Sequence, residues 1–170
     1  SLRWSITTGV VTNMVKSIDM NAEKKKVILT LCKVFPVTHS QTGKPTEFGK
    51  HLQEGVKIHT VRGNNKNLWD QRVDQIKAGK KYLSVREWSG RPYNSEQREI
   101  AQHQNVGLQH ITITNSTDDS EPQCWVDDKK VSIREIAKND GLSVEDFVEW
   151  FLKETNVFEG VIIHFTNFRY

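Results

Sequence analysis

Cysteine is scarce in this sequence. Its 170 residues contain only Cys32 and Cys124, with no Cys-x-x-Cys pair and no Cys/His cluster. That argues against a structural zinc site, and two lone cysteines read as reduced thiols of a cytoplasmic protein. Long hydrophobic runs are absent too: none approaches the ~20 residues that a membrane-spanning helix needs. No basic stretch followed by a short apolar block marks a secretion signal, so the match of Asn115-Ser116-Thr117 to a glycosylation sequon is read as chance. No repeat or low-complexity block interrupts the chain. The six histidines are scattered and read as structural. No metal and no cofactor is expected.

Apolar residues make up 36% and charged residues 26%, with 5 Trp, 7 Phe and 3 Tyr. Disordered chains are short of such aromatics, and this length suits one domain with a sizeable core. The division expected is an N-terminal extension over 1–25 that docks on a main domain over 26–170.

Charge is uneven. Of the 24 Lys and Arg, 18 fall in residues 1–100 beside 9 of the 21 Asp and Glu, a local net of +9. The remaining 6 and 12 give −6, restoring the overall +3. A basic half of this size is a possible footprint for a polyanion. Equally, lysines such as Lys24 to Lys26, Lys80 and Lys81 could simply solvate a surface.

Periodicity and turn signals predict strands over Val27–Phe35, Ile58–Arg62, Lys81–Trp88, Glu96–His103, Val106–Asn115 and Val161–Phe168, with a brief one at Cys124–Val126. Helices are predicted over Pro45–Glu54 and Asn67–Ala78. Two more follow Ser132, read as a capping box with Glu135, and Ser143, read as an N-cap. This mixed order lacks the regular alternation of a doubly wound sheet. It fits an α+β fold in which the strands form one mixed, barrel-like sheet with three to four short helices around it.

The segment Gly55-Val56-Lys57-Ile58-His59-Thr60-Val61-Arg62 carries the chemistry. Thr60 and Arg62 are two apart on a strand and share a face. Lys57 joins them only if the chain bends between Gly55 and Ile58. A Lys, a Thr hydroxyl and an Arg fork on one face make a compact cationic donor site, with Arg suited to bidentate phosphate recognition. The alternative is an exposed strand of alternating polar residues. Further on, Trp88-Ser89-Gly90-Arg91-Pro92-Tyr93 is an aromatic-basic cluster. With Arg86 on the preceding strand, Trp88 and Tyr93 are candidates to stack on a base; they could equally pack in the core around a turn.

Lys57-Ile58-His59-Thr60-Val61-Arg62 resembles the K-x-x-T-x-R signature of the ASCH superfamily, which is similar in fold to the PUA RNA-binding domain. Ile136-Ala137-Lys138-Asn139-Asp140-Gly141-Leu142, the helix carrying Phe147, Trp150 and Phe151, and the strand Val161 to Phe165 resemble the closing half of that domain. The resemblance spans roughly 26–168. It implies a PUA-like β-barrel with a cleft for RNA or a modified nucleoside beside Lys57, Thr60 and Arg62. One small bacterial branch of the family deacetylates acetylated cytidine without metal, using a Lys and a Thr of the motif and a Glu before the last helix. By position these become Lys57, Thr60 and Asp140. Other members are described as ribonucleases. The chain departs from that branch in two ways: Asp140 is one methylene shorter than Glu, and the Asn67–Ala78 helix is inserted after the motif strand.

Overall fold

The computed structural model describes residues 24–118 and 120–170. The docking expected of the first 25 residues therefore falls almost wholly outside the described residues.

The order of elements is β1 (Lys25–Thr30), α1 (Phe48–Gln53), β2 (His59–Arg62), a 3-10 turn at Asn65–Asn67, α2 (Leu68–Lys77), β3 (Lys81–Trp88), β4 (Gln97–His103), β5 (Gly107–Thr114), β6 (Gln123–Val126), β7 (Lys129–Val131), α3 (Ile133–Asp140), α4 (Val144–Leu152) and β8 (Val157–His164). The fold is α+β. The strands lie in two sheets and do not close into the single barrel-like sheet expected: β1-β3-β4 form one and β2-β8-β5-β6-β7 the other. In the first sheet β1 runs parallel to β3. In the second every pair is antiparallel.

The apolar pattern explains the layering. Val161 and Ile163 of β8 pack in a core shared with Val27, Leu29, Leu83 and Val85 of the first sheet and with Trp69, Val73 and Ile76 of α2. Ile162, pointing the other way, packs with Ile133, Ile136 and Ala137 of α3 and Phe147 of α4. The second sheet is thus covered on both faces, which is why β8 reads as a continuous apolar run rather than an alternating one.

Three local expectations change. The first strand leaves the ladder at Thr30 rather than Phe35: its pairing with β3, its partner among the described residues, ends at Thr30 opposite Arg86. Beyond it the chain keeps a single bridge, Val34 with Pro45. Ser132 does not cap α3 through its side chain; its main-chain oxygen takes the Glu135 amide instead, at 3.1 Å. Ser143 does cap α4, its hydroxyl accepting from the Asp146 amide at 3.1 Å. Finally, β6 and β7 form a hairpin that the sequence hid. Asp127 and Asp128 turn it with φ of 47° and 65°, the left-handed pair such a two-residue turn needs, without the glycine that usually announces it.

Candidate functional site

Helix α1 ends at Gly55, whose φ is +74°, and the chain then bends as the motif requires. The amides of Val56 and Lys57 both donate to the His51 carbonyl, at 2.9 and 3.0 Å. The Ile58 amide reaches Asn139 O of α3 at 2.9 Å. The bend turns Lys57 inward against the end of α3, where it is 2% exposed. Its Nζ donates to Asp140 Oδ1 at 3.0 Å and to Asp140 O at 2.8 Å. It also lies 4.3 Å from the centre of the Phe48 ring. One ammonium therefore meets a carboxylate, an unpaired carbonyl at a helix C-terminus and an aromatic face, all favourable to a cation. Gly141 makes room: its φ is +82°, and a Cβ there would lie 3.3 Å from Lys57 Cβ.

Burial pulls the Lys57 ammonium below the usual lysine value, with the Asp140 charge opposing. Burial pushes the Asp140 carboxyl up, but Lys57 and then His59 outweigh it and leave the carboxyl below its usual range. His59 Nδ1 stands 3.5 Å from Asp140 Oδ1, and its Nε2 is 2.6 Å from the Tyr170 hydroxyl. Asn139 Nδ2 donates to that hydroxyl at 3.0 Å. Sequence reasoning missed His59 and Tyr170 as supports of Asp140; the position of His59 within the motif was the available signal.

Thr60 and Arg62 share a face of β2, as expected. Lys57, Thr60, Arg62 and Asp140 together line a cavity of about 100 Å³. Thr60 is 5% exposed, and among the described residues its hydroxyl has no hydrogen-bond partner. Arg62 Nη2 donates to Thr30 O at 2.8 Å, tying β2 to the end of β1 across the two sheets.

Cys32 and Arg62 also line a second, larger cleft of about 870 Å³, so the two spaces meet at these residues. Around the larger one stand Lys33, Val34, Trp88, Arg91 and Tyr93, and among the described residues no carboxylate lines it. Trp88 and Tyr93 do not pack in the core. Their rings are 5.1 Å apart at 52°, and Tyr93, at φ 62°, is 89% exposed. They form a lip on the cleft. Arg86 is not in its lining; its Nε donates to Ser84 Oγ at 2.9 Å, on the first sheet. Cys32, read only as a reduced thiol, and the Leu31–Val37 stretch were not foreseen as cleft wall. Nothing in their composition distinguishes them from ordinary strand and loop.

Among the described residues, His39, Asp146 and Glu149 bring donor atoms within 4.8 Å of one another. However, His39 Nε2 donates to Asp146 O at 3.0 Å, and Nδ1 accepts from the Gln41 amide at 3.0 Å. Glu149 is held by the Ser40 amide at 2.8 Å and hydroxyl at 2.6 Å. The protein itself thus engages the His39 and Glu149 atoms, while the Asp146 carboxylate has, among the described residues, only His39 Nε2 nearby, at 3.8 Å.

Among the described residues no helix is long and apolar enough to cross a membrane. No protein-family model matches the chain, and no curated protein or solved structure matches it.

Proposed function

We propose that this protein binds a nucleoside unit of RNA, or a free modified nucleoside, in the cleft between Trp88–Tyr93 and Arg62. The observation that carries the reading is the cleft's composition: a paired aromatic lip, the cations Lys33, Arg62 and Arg91, and no carboxylate among the described residues. Aromatic faces stack on bases, and Arg forks hold phosphate in a way that carboxylates would oppose. In this reading the base lies against Trp88 and Tyr93 and the phosphate faces Arg62. Lys57 and Thr60 meet a carbonyl or exocyclic group at the floor. The resemblance of Lys57-Ile58-His59-Thr60-Val61-Arg62 to the ASCH signature points the same way, toward a PUA-like domain acting on RNA in the cytoplasm. Titration of the intrinsic tryptophan fluorescence with mononucleotides and short RNA tests it. Saturable quenching that Trp88→Ala removes supports the reading, and no response from any nucleotide rejects it.

A second reading, deacetylation of acetylated cytidine, is favoured by one observation: Lys57, Thr60 and Asp140 line the same cavity. Water would add across the amide C–N bond, giving acetate and the free exocyclic amine. Lys57 would stabilise the oxyanion as a cation or, deprotonated, act as base. Thr60 would supply a nucleophile or a donor, and Asp140 would orient Lys57. Incubation of the protein with acetylated cytidine, free and within RNA, followed by chromatography for cytidine, decides between the two. Absence of turnover on both leaves binding.

A further inference from the structure

Binding of a single nucleoside unit would leave the most basic part of the molecule unused. The parallel register of β1 on β3 places Lys25 opposite Lys81 and Lys26 opposite Tyr82. Lys24 and Lys80 precede each strand, and Lys77 ends α2 just before β3. Six lysines therefore gather at one end of the first sheet. Adjacent strands are only about 4.8 Å apart, and like charges directly across a ladder destabilise it. Among the described residues no ion pair relieves the repulsion. None of these six makes an ion pair with a carboxylate among the described residues, and Lys24 Nζ has only Gln104 Oε1 at 3.4 Å. Glu99, on the same sheet, feels the Lys26 charge only at a distance, its oxygens being held by Ser84 and by Gln102 Nε2 at 2.6 Å. A local rule broken with so little compensation among the described residues points to a surface with an external partner.

The other end of the same strand is the cleft. Thr30 closes β1 and lines the larger space. Five strand steps separate it from Lys25, about 17 Å at the usual rise. Between them Lys26 and Ile28 point outward on the edge strand, and Ile28 is 46% exposed. A cationic end, an exposed apolar step and a cleft of aromatics and cations thus lie along one strand.

We infer that the ligand is a single-stranded polynucleotide rather than a free nucleoside. Its backbone runs along β1 from the cleft to the lysines at the start of β1 and β3. This rests on the cleft reading proposed above and adds a second, sequence-independent anchor to it.

The test measures fluorescence anisotropy of labelled RNA and DNA strands, from a mononucleotide up to about 16 nucleotides, with wild type, Trp88→Ala and the surface set Lys25→Gln/Lys26→Gln/Lys80→Gln/Lys81→Gln. Wild-type affinity should rise with length. Its salt dependence should steepen by about 0.7 in log–log slope for each phosphate neutralised on a single strand. The lysine set should bind mononucleotide as wild type does but lose the gain from length and the extra slope. The RNA and DNA arms separate a ribose-reading site from a backbone-reading one. Equal length dependence in wild type and the lysine set, or no length dependence in wild type, overturns the track while leaving the cleft intact. Failure of the mononucleotide to bind, with long strands held only through the lysines, rejects the cleft reading and keeps the cationic surface.

Discussion

The ammonium of Lys57 donates to two oxygens of Asp140, Oδ1 of the carboxylate at 3.0 Å and the main-chain carbonyl at 2.8 Å. The pair joins the bend after α1 to the last residue of α3 inside the protein. Removing one partner strands the other charge in a buried site, which typically costs 3–5 kcal/mol. Lys57→Met and Asp140→Leu should each lower the free energy of urea unfolding by about that much. The double variant should recover most of the loss, because two apolar side chains can replace a buried pair. Additive losses in the double variant would show that the pair is not coupled.

Acid should act through a different residue. His164 is fully buried on β8, its Nε2 donating to Gln109 Oε1 at 2.9 Å and its Nδ1 without a partner. Burial, and then the neighbouring His59, push its pKa down to about 3. A folded-state value below the unfolded one means that the unfolded chain binds more protons between the two. The stability His164 contributes is therefore complete above pH ~6.5 and is lost as pH falls toward about 3, at up to about 1.4 kcal/mol per pH unit. Burial lowers His103 as well, in the same direction. Unfolding measured from pH 7.5 downward should show this slope, and His164→Asn should lower it by about one proton. An unchanged slope in the variant would assign the acid sensitivity elsewhere.

The elements were legible where local pattern decided them. β3 follows its predicted limits from Lys81 to Trp88, and α2 runs from Leu68 to Lys77 inside the predicted helix. What was hidden is long-range. The apolar run over Val27–Phe35 does not reveal where the pairing of β1 with β3 ends, so the place where it leaves the sheet could not be read. Nor does alternation say which strands share a sheet, and so one sheet was expected where two exist. At the site, the bend at Gly55 could be anticipated because a straight strand would turn Lys57 away from Thr60. That Lys57 is buried, and that Leu31–Val37 forms the wall of the cleft, depends on the docking of α3 and of the first sheet. Those contacts leave no spacing signal.

The lip of the cleft gives a direct measurement. Trp88 and Tyr93 touch each other and solvent, so truncating either should leave the core intact. Trp88→Ala should weaken binding of a short RNA by about 1–3 kcal/mol, the usual worth of one stacked base. It should shift the unfolding midpoint little. Tyr93→Phe, which keeps the ring and drops the hydroxyl, should bind as wild type does if stacking is the interaction. A loss in Tyr93→Phe equal to that in Trp88→Ala would argue for a hydroxyl contact instead.

Thr60→Val isolates the remaining group. Valine keeps the branched shape on β2 and removes only the hydroxyl. In the free protein Thr60 lines the cavity, and its hydroxyl makes no hydrogen bond among the described residues. Deleting it therefore breaks no hydrogen bond among them. Unfolding of Thr60→Val should accordingly stay close to that of wild type. Ligand binding should respond in the opposite sense: if Thr60 donates to a carbonyl or exocyclic group at the cavity floor, affinity falls by about 0.5–1.5 kcal/mol for a neutral bond. Were the protein to hydrolyse acetylated cytidine, the same substitution would lower turnover by about 10²–10³ if the hydroxyl stabilises an oxyanion, and further if it is the nucleophile. A variant that is as stable yet binds or turns over less places the Thr60 hydroxyl in function rather than in folding. A variant that is less stable, with ligand affinity unchanged, would place it in the core and leave the cavity without its donor.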